Sequence, residues 1–230
     1  MPAARDFVTT RVQVVAFSSS MDVQPTKVIA YLLTDYVEKF DGDIQSISIP
    51  KEVLGDMPCA VLESSDQQYR FEVGPSRLSV QWKSQTKESN DLGGIVNECV
   101  EILTDCVSHL SVRIGRLALV ISRVCPCDTP SQSLIDRFCT ESAKQEPFNR
   151  STNFEIHNHK EYVLPSVSPS LTINSWVRCK TKPQAIAVEQ DLNTRAEDTD
   201  DRQFSTSQLD EFFSVATLEA NDILAKYFPG

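Results

Sequence analysis

Residues 69–82 read Y-R-F-E-V-G-P-S-R-L-S-V-Q-W, and this stretch decides the fold. Apolar residues occupy every second position on both sides of Gly74-Pro75. They are Tyr69, Phe71, Val73, Leu78, Val80 and Trp82. Period-two alternation flanking a Gly-Pro turn is typical of a β-hairpin with one buried face and one solvated face. The stretch therefore predicts antiparallel β-structure.

Outside the hairpin, apolar residues at helical spacing predict helices, and alternating apolar residues or short apolar runs predict strands. Helical spacing predicts helices at 25–40, 95–110 and 209–227, and a short helix at 133–139. Strands are predicted at 12–17, 44–50, 59–63, 114–123, 154–164, 171–182 and 185–193. Residues 83–94 and 194–203 are predicted as loops and 165–169 as a turn. The loop at 194–203 is expected to be mobile because it is acidic and poor in apolar residues.

The order of these elements predicts an α+β fold, in which amphipathic helices pack on one face of a mostly antiparallel sheet. The two halves of the chain have a similar element order, which suggests two related α/β halves, although their residues do not align convincingly. We expect an N-terminal α+β half at 1–127, a connecting segment at 128–153, and C-terminal strands with a terminal helix at 154–230. Together they are expected to form one compact unit.

Composition excludes several classes of protein. The chain has 230 residues, a 40% hydrophobic fraction and a formal net charge of −10. No segment reaches the roughly 20 apolar residues of a membrane span, and the first six residues do not resemble a secretory signal, so we expect a cytoplasmic protein without membrane contact. The negative charge argues against a dedicated duplex-DNA binder and favours a basic protein partner.

The seven cysteines have no C-x-x-C spacing, which argues against a zinc knuckle and favours reduced, buried thiols. A redox role for Cys125 and Cys127 is the alternative. No cofactor is expected.

Four segments resemble a sporadically distributed bacterial family of uncharacterised proteins of about this length. They are F-E-V-G-P-S-R-L-S-V-Q-W at 71–82, R-I-G-R-L-A-L-V-I-S-R at 113–123, A-I-A-V-E-Q-D-L-N at 185–193, and the aromatic pair Tyr227-Phe228. The resemblance spans most of the chain and implies no activity or catalytic residues. The family's patchy distribution is similar to that of mobile or antiviral-defence genes.

The most polar of the predicted strands begins F-E-I-H-N-H-K-E at Phe154. Because strand side chains alternate, Glu155, His157, His159 and Glu161 are expected on one face. Two histidines and two carboxylates at this spacing are compatible with a divalent transition metal. The same pattern is also typical of the solvated face of an antiparallel strand, which we favour, with a pH-sensitive contact as a third interpretation.

The next predicted strand places an aromatic ring among cations. Its expected outward residues are Asn174, Trp176, Arg178, Lys180 and Lys182. If this strand pairs with 154–164, Trp176 lies close to both histidines. An aromatic among basic residues is typical of protein hot spots and of grooves for single-stranded nucleic acid. On the strand at 185–193, Asp191 and Glu189 share a face and are a weaker candidate for half of an acid–base or metal site.

These patterns contain no assembled catalytic constellation. They predict a non-catalytic accessory or regulatory protein that binds a macromolecular partner, in a bacterial defence or mobile-element system. The predicted contact residues are His157, His159, Asn174, Trp176, Arg178, Lys180 and Lys182. The alternatives are a metal-dependent hydrolase or nuclease that uses His157 and His159, and a module for single-stranded nucleic acid. The sequence does not indicate an oligomeric state.

Overall fold

Nine antiparallel strands form one continuous sheet in the order β2-β3-β4-β5-β1-β6-β9-β8-β7. A computed structural model describes residues 1–19, 23–47, 57–85, 91–164, 167 and 170–230. The strands are β1 Val8–Ser18, β2 Ile44–Ser46, β3 Ala60–Glu63, β4 Tyr69–Gly74, β5 Arg77–Lys83, β6 Ile114–Pro126, β7 Glu155–Leu164, β8 Leu171–Lys182 and β9 Ala185–Thr194. The helices are α1 Pro25–Asp35, α2 Leu92–Leu110, α3 Pro130–Phe138, α4 Glu141–Gln145 and α5 Thr206–Tyr227.

The sheet consists of two sets of strands that meet at its centre, β1 to β5 on one side and β6 to β9 on the other. In the first half, β1 pairs with β5, and α2 follows β5; in the second, β6 pairs with β9, and α5 follows β9. β1 and β6 pair with each other and join the halves. The predicted α+β fold is therefore confirmed. In the sheet the two halves meet at β1 and β6, whereas the relatedness of the halves and the domain boundaries at 127 and 153 stay predictions.

All the large helices bury their apolar sides against one face of the sheet. Buried residues of α1, α2, α3 and α5 belong to one apolar cluster that includes Val14 of β1 and Leu119 of β6. The alternate residues Val15 and Ala118 point the other way and are outside that cluster. Alternation along each strand thus divides the sheet into a helix-covered face and a face that no described helix covers.

Side-chain caps fix where the two long helices begin. The Asp91 carboxylate accepts a hydrogen bond of 3.0 Å from the Gly94 backbone N–H, and α2 starts at Leu92. The loop predicted at 83–94 is therefore wrong at Leu92 to Gly94, which are helical. Ser205 and Gln208 form a capping box at the start of α5.

Other sequence predictions also need correction. The helix predicted to Phe40 ends at Asp35, where Tyr36 leaves helical geometry and its hydroxyl bonds Asp105 of α2 at 2.6 Å. The connecting segment contains α4 in addition to the predicted short helix. Some positions of the predicted elements lie outside the described residues. They are 48–50 of the strand predicted at 44–50, 86–90 of the loop predicted at 83–94, and 165, 166, 168 and 169 of the turn predicted at 165–169. None of the described helices is long and apolar enough to cross a membrane.

A buried arginine holds α5 to the sheet. Arg123 of β6 is 3% exposed, and its guanidinium donates hydrogen bonds to Gln190 of β9 and, at 2.7 Å, to Asn221 of α5. Burial lowers the pKa of Arg123 to about 10. Within the described residues this cation has neutral partners only, so it links the two elements by hydrogen bonds instead of by an ion pair.

The segment after β9 packs closely on the start of β6. Ala196–Asp198 forms a short 3-10 helix, and the Phe204 backbone N–H donates to the Ile114 carbonyl at 2.8 Å. This segment, predicted as a loop, is therefore structured in part. A Cβ on Gly115 would overlap the Thr199 carbonyl oxygen and lie 2.9 Å from the carbonyl carbon. Only glycine fits there without displacing the Thr199 backbone.

We expect Gly115→Ala to lower the free energy of unfolding by roughly 1–3 kcal/mol, because the methyl group must push the Thr199 backbone away. Gly93→Ala is the matched control: the nearest atom to its added Cβ is a side-chain oxygen at 3.8 Å. Since alanine is the better helix former, this control should be neutral or up to about 1 kcal/mol more stable. Urea denaturation measures both. Equal stability of the two variants would contradict the close approach at Gly115.

Candidate partner-binding surface

The face of the sheet opposite the helices is called here the uncovered face. Its strand residues alternate with the core residues and are small along the centre, where Val15, Ser79 and Ala118 lie side by side. Longer charged side chains surround this central stripe. Eight are cationic and six acidic: Arg11, Arg70, Arg77, Lys83, Arg116, Arg178, Lys180 and Lys182, and Glu63, Glu72, Glu155, Glu161, Glu189 and Asp191. Since the whole chain has a formal charge of −10, the acidic excess lies elsewhere.

The pairing of β7 with β8 brings the predicted aromatic and histidine residues together. His159 is opposite Trp176, and His157 is opposite Arg178. The His159 ring stacks on the Trp176 ring with 3.8 Å between centroids and 10° between planes. The His157 ring lies 5.1 Å from Trp176 at 43°. These three residues are called the Trp176 cluster, and Trp176 itself is 37% exposed.

Polar contacts fix the surroundings of this cluster. The His159 Nε2 atom lies 3.0 Å from the Asn174 side-chain oxygen. Arg178 forms a bidentate pair with Glu155, with 2.9 Å between Nη2 and Oε2. The hydrogen bonds from Arg178 lower the pKa of the Glu155 carboxyl. The ring stacking and these two contacts restrict the rotamers of the cluster before any partner binds.

The two remaining predicted residues lie further along β8 on the same face. Lys180 is opposite Glu155, and Lys182 is exposed at the end of the strand. Neither lysine has an ion pair within 4 Å among the described residues. All seven residues predicted from the sequence as contacts thus lie on the uncovered face, on β7 and β8 at one edge of the sheet.

An acidic side chain borders the cluster on its inner side. Asp191 of β9 is opposite Trp176, and it accepts a hydrogen bond of 3.0 Å from Asn193. Burial raises the pKa of Asp191, while the Asn193 hydrogen bond and the charge of Arg116 oppose that rise. Glu189 shares the face, as predicted, but faces Arg178 across the strand pair. The two carboxylates therefore have different neighbours.

An aromatic–cation contact on the uncovered face was not predicted from the sequence. The Arg116 guanidinium carbon lies 4.6 Å from the centre of the Phe17 ring, on the uncovered face near the joint between the halves. The Nε atoms of Arg11, Arg77 and Arg116 are buried without a hydrogen-bond partner among the described residues. Their positions alternate with core residues such as Val12, Leu78 and Leu117, and this alternation is the signal that would have found them.

Within the described ranges, no three His, Cys, Asp or Glu side chains are grouped so that they could hold a metal ion. The seven cysteines are unpaired thiols; Cys125 is buried and Cys127 half-buried. Burial raises the pKa of the Cys125 thiol, which reduces the thiolate fraction available for redox chemistry.

The chain shows remote likenesses to two solved structures. No protein-family model matches the chain, and no curated protein matches it. The solved structure of Methanococcus jannaschii TBP has 7% identity and a TM-score of 0.33, over 96% of this chain and 98% of that one. The di-domain ARO/CYC StfQ from the steffimycin biosynthetic pathway has 9% identity and a TM-score of 0.18, over 95% and 97%. Neither carries an argument about this chain, and the bacterial-family resemblance stays a prediction.

We expect Asp191→Asn to be more stable than the wild type at pH 7. Because burial raises the folded-state pKa above its ordinary value of 3.8, the native protein binds the proton more tightly than the unfolded chain. The contribution of Asp191 to stability therefore falls as pH rises from about 4 through the folded pKa. Asparagine removes this cost and still accepts from Asn193.

Urea denaturation at pH 7 and at pH 3.5 provides the test, with Glu189→Gln as the control on the same strand and face. The gain from Asp191→Asn should be present at pH 7 and small at pH 3.5. Glu189→Gln should show a smaller gain, because the charge of Glu189 is a lesser cause of the raised pKa of Asp191 than burial. A loss of stability at pH 7 on Asp191→Asn would show that attraction to Arg116 outweighs burial.

Proposed function

We propose that this chain is a non-catalytic accessory protein that binds a protein partner through the uncovered face, centred on the Trp176 cluster. The observation that carries the proposal is that an exposed tryptophan lies at the β7–β8 edge of a sheet face that no described helix covers, whereas Val15, Ser79 and Ala118 at the centre of that face are buried. The bacterial defence or mobile-element setting rests on the family resemblance alone.

Trp176 is expected to contribute most of the binding energy. Tryptophan and arginine are the residues most often found to dominate binding energy at protein interfaces. A large amphipathic ring contributes apolar area at a low entropic cost when its rotamer is already restricted. The His159 ring restricts Trp176 by stacking, and Glu155 restricts Arg178 by the bidentate pair. The cluster is therefore pre-organised for contact.

The charge pattern favours a protein over a nucleic acid. Glu155 and Glu161 of β7 and Asp191 of β9 flank the cations of β8, where they would repel a phosphate backbone. A protein surface can present charges of both signs to such a mixed face. Single-stranded nucleic acid is the second candidate. Lys180 and Lys182, on the same strand and face as Trp176, favour it because neither has an ion pair within the described residues.

The metal-dependent hydrolase alternative has less support from the geometry. The two histidine rings lie against Trp176, and His159 Nε2 faces Asn174. Metal analysis of protein purified without a histidine tag tests it directly.

The test of the proposal is a double variant, Trp176→Ala with Arg178→Glu. It should abolish co-purification of a protein that the wild-type chain captures in its host, because it removes the aromatic anchor and reverses the adjacent charge. The thermal midpoint should stay nearly unchanged, since both side chains lie on the surface. The matched control is Leu218→Ala with Lys27→Glu, which makes the same kinds of change at exposed positions on the helix side.

The result that supports the proposal is a protein enriched by the wild type and the control and lost with the double variant. Retention of every captured protein by the double variant would refute it. Binding of a single-stranded oligonucleotide that weakens steeply with salt and is lost with the double variant would instead establish the second candidate.

A further inference from the structure

A cavity of about 530 Å³ lies on the helix side of the sheet, between α5 and the two outermost strands. α5 packs on β6 and β9 near the centre and leaves space beside β7 and β8. Val177 of β8 and Ile223 of α5 provide apolar surface in this space. Its size and its mixture of apolar and polar surface are those of a small-molecule site.

Two hydrogen bonds between β7 and α5 frame the cavity. Asn158 donates to the Tyr227 hydroxyl at 2.6 Å, and the Tyr162 hydroxyl donates to Glu219 at 2.8 Å. Four residues of a strand span about 13 Å, and eight residues of a helix span about 12 Å. The two estimates agree, so the bonds lie at the ends of a slot on the order of 12 Å long.

The two ends of this slot differ in polarity. Lys226 precedes Tyr227 on α5, and Lys160 lies between the two bonded residues of β7. Neither lysine has a hydrogen bond or ion pair within the described residues, and no described residue accepts the hydroxyl proton of Tyr227. At the other end, the Glu219 carboxylate accepts from Tyr162 and has further acceptor capacity.

We propose that this cavity binds an amphipathic hydroxycarboxylate, with its carboxylate at the Tyr227 end and its hydroxyl at the Glu219 end. Lys226, next to Tyr227, supplies positive charge at that end, and Lys160 supplies it midway along the slot. Tyr227 donates a hydrogen bond to the carboxylate. Val177 and Ile223 contact the hydrocarbon body. Glu219 repels a carboxylate at its own end and accepts a hydrogen bond from a hydroxyl, and this sets the orientation.

The protonation state of Tyr162, at the Glu219 end, is consistent with the proposed orientation of the ligand. Burial and the hydrogen bond to Glu219 raise the pKa of Tyr162. The phenol therefore stays neutral at ordinary pH and keeps its proton as a hydrogen-bond donor to Glu219.

This site is separate from the Trp176 cluster, although Glu161, which the strand register assigns to the uncovered face, also lines the cavity. Asn158, Lys160 and Tyr162 point to the helix side of β7, whereas His157 and His159 point to the uncovered face. The two proposals can therefore fail independently.

Isothermal titration calorimetry with the full chain tests the site. The probes are octanoate, 8-hydroxyoctanoate and octylammonium, which share an apolar body and differ in their polar groups. We expect saturable binding of both carboxylates, tighter for 8-hydroxyoctanoate, and weaker binding of octylammonium. The double variant Lys160→Gln with Lys226→Gln should weaken octanoate binding by about three- to tenfold, because it removes two partly solvated charge interactions.

Two further variants control the assignment. Lys182→Gln makes the same change on the uncovered face and should leave the affinity unchanged. Glu219→Gln should reduce the preference for 8-hydroxyoctanoate over octanoate. The proposal is overturned if the carboxylates do not bind at millimolar concentration, if octylammonium binds as tightly as octanoate, or if the double lysine variant binds like the wild type. Equal binding of the two carboxylates by the wild type would refute the hydroxyl contact with Glu219.

Discussion

The pairing of β1 with β6 is the contact on which the rest of this structure depends. Each is the first strand of its half, and each pairs on its other edge with the last strand of the same half. Because the two strands run antiparallel along most of their length, they make one nine-stranded sheet from two smaller ones. Without this pairing, each half would expose a long central edge, which is a template for aggregation.

One-sided helix packing follows from the order of elements within each half. Helices α2 and α5 both follow the strand that lies next to the centre, and both return over the same face. Apolar side chains at alternate strand positions are buried beneath them, while the other positions keep their polar character. The Arg123 link and the close approach at Gly115 then fix α5 and the segment before it to β6.

The two faces of the β7–β8 edge are therefore suited to different ligands. On the uncovered face, stacked rings and a bidentate ion pair provide a firm contact patch for a macromolecule. On the helix side, the same strands are held to α5 by two hydrogen bonds with a cavity between them. Both arrangements depend on the alternation of side chains along β7, where neighbouring residues such as Asn158 and His159 point to opposite faces of the sheet.

The sequence by itself determined the fold class and the local face of each candidate contact. Alternation in the 69–82 hairpin and helical spacing at 95–110 and 209–227 are local properties, so they could be recognised without coordinates. The same alternation placed Trp176 with Arg178, and His157 with His159, before any strand pairing was known. The predicted helix limits near Gly94 and Asp35 were wrong because one depends on the Asp91 cap and the other on the contact of Tyr36 with the distant Asp105.

Only the tertiary structure decided which strands are neighbours. Strand order and register depend on contacts between residues far apart in the chain, such as Val14 with Leu119, and no local period encodes them. Stacking of His159 on Trp176, the position of Asp191 beside them and the Arg116–Phe17 contact all follow from that register. The cavity beside α5 could not be predicted for the same reason, because it is the space left where a helix diverges from two edge strands.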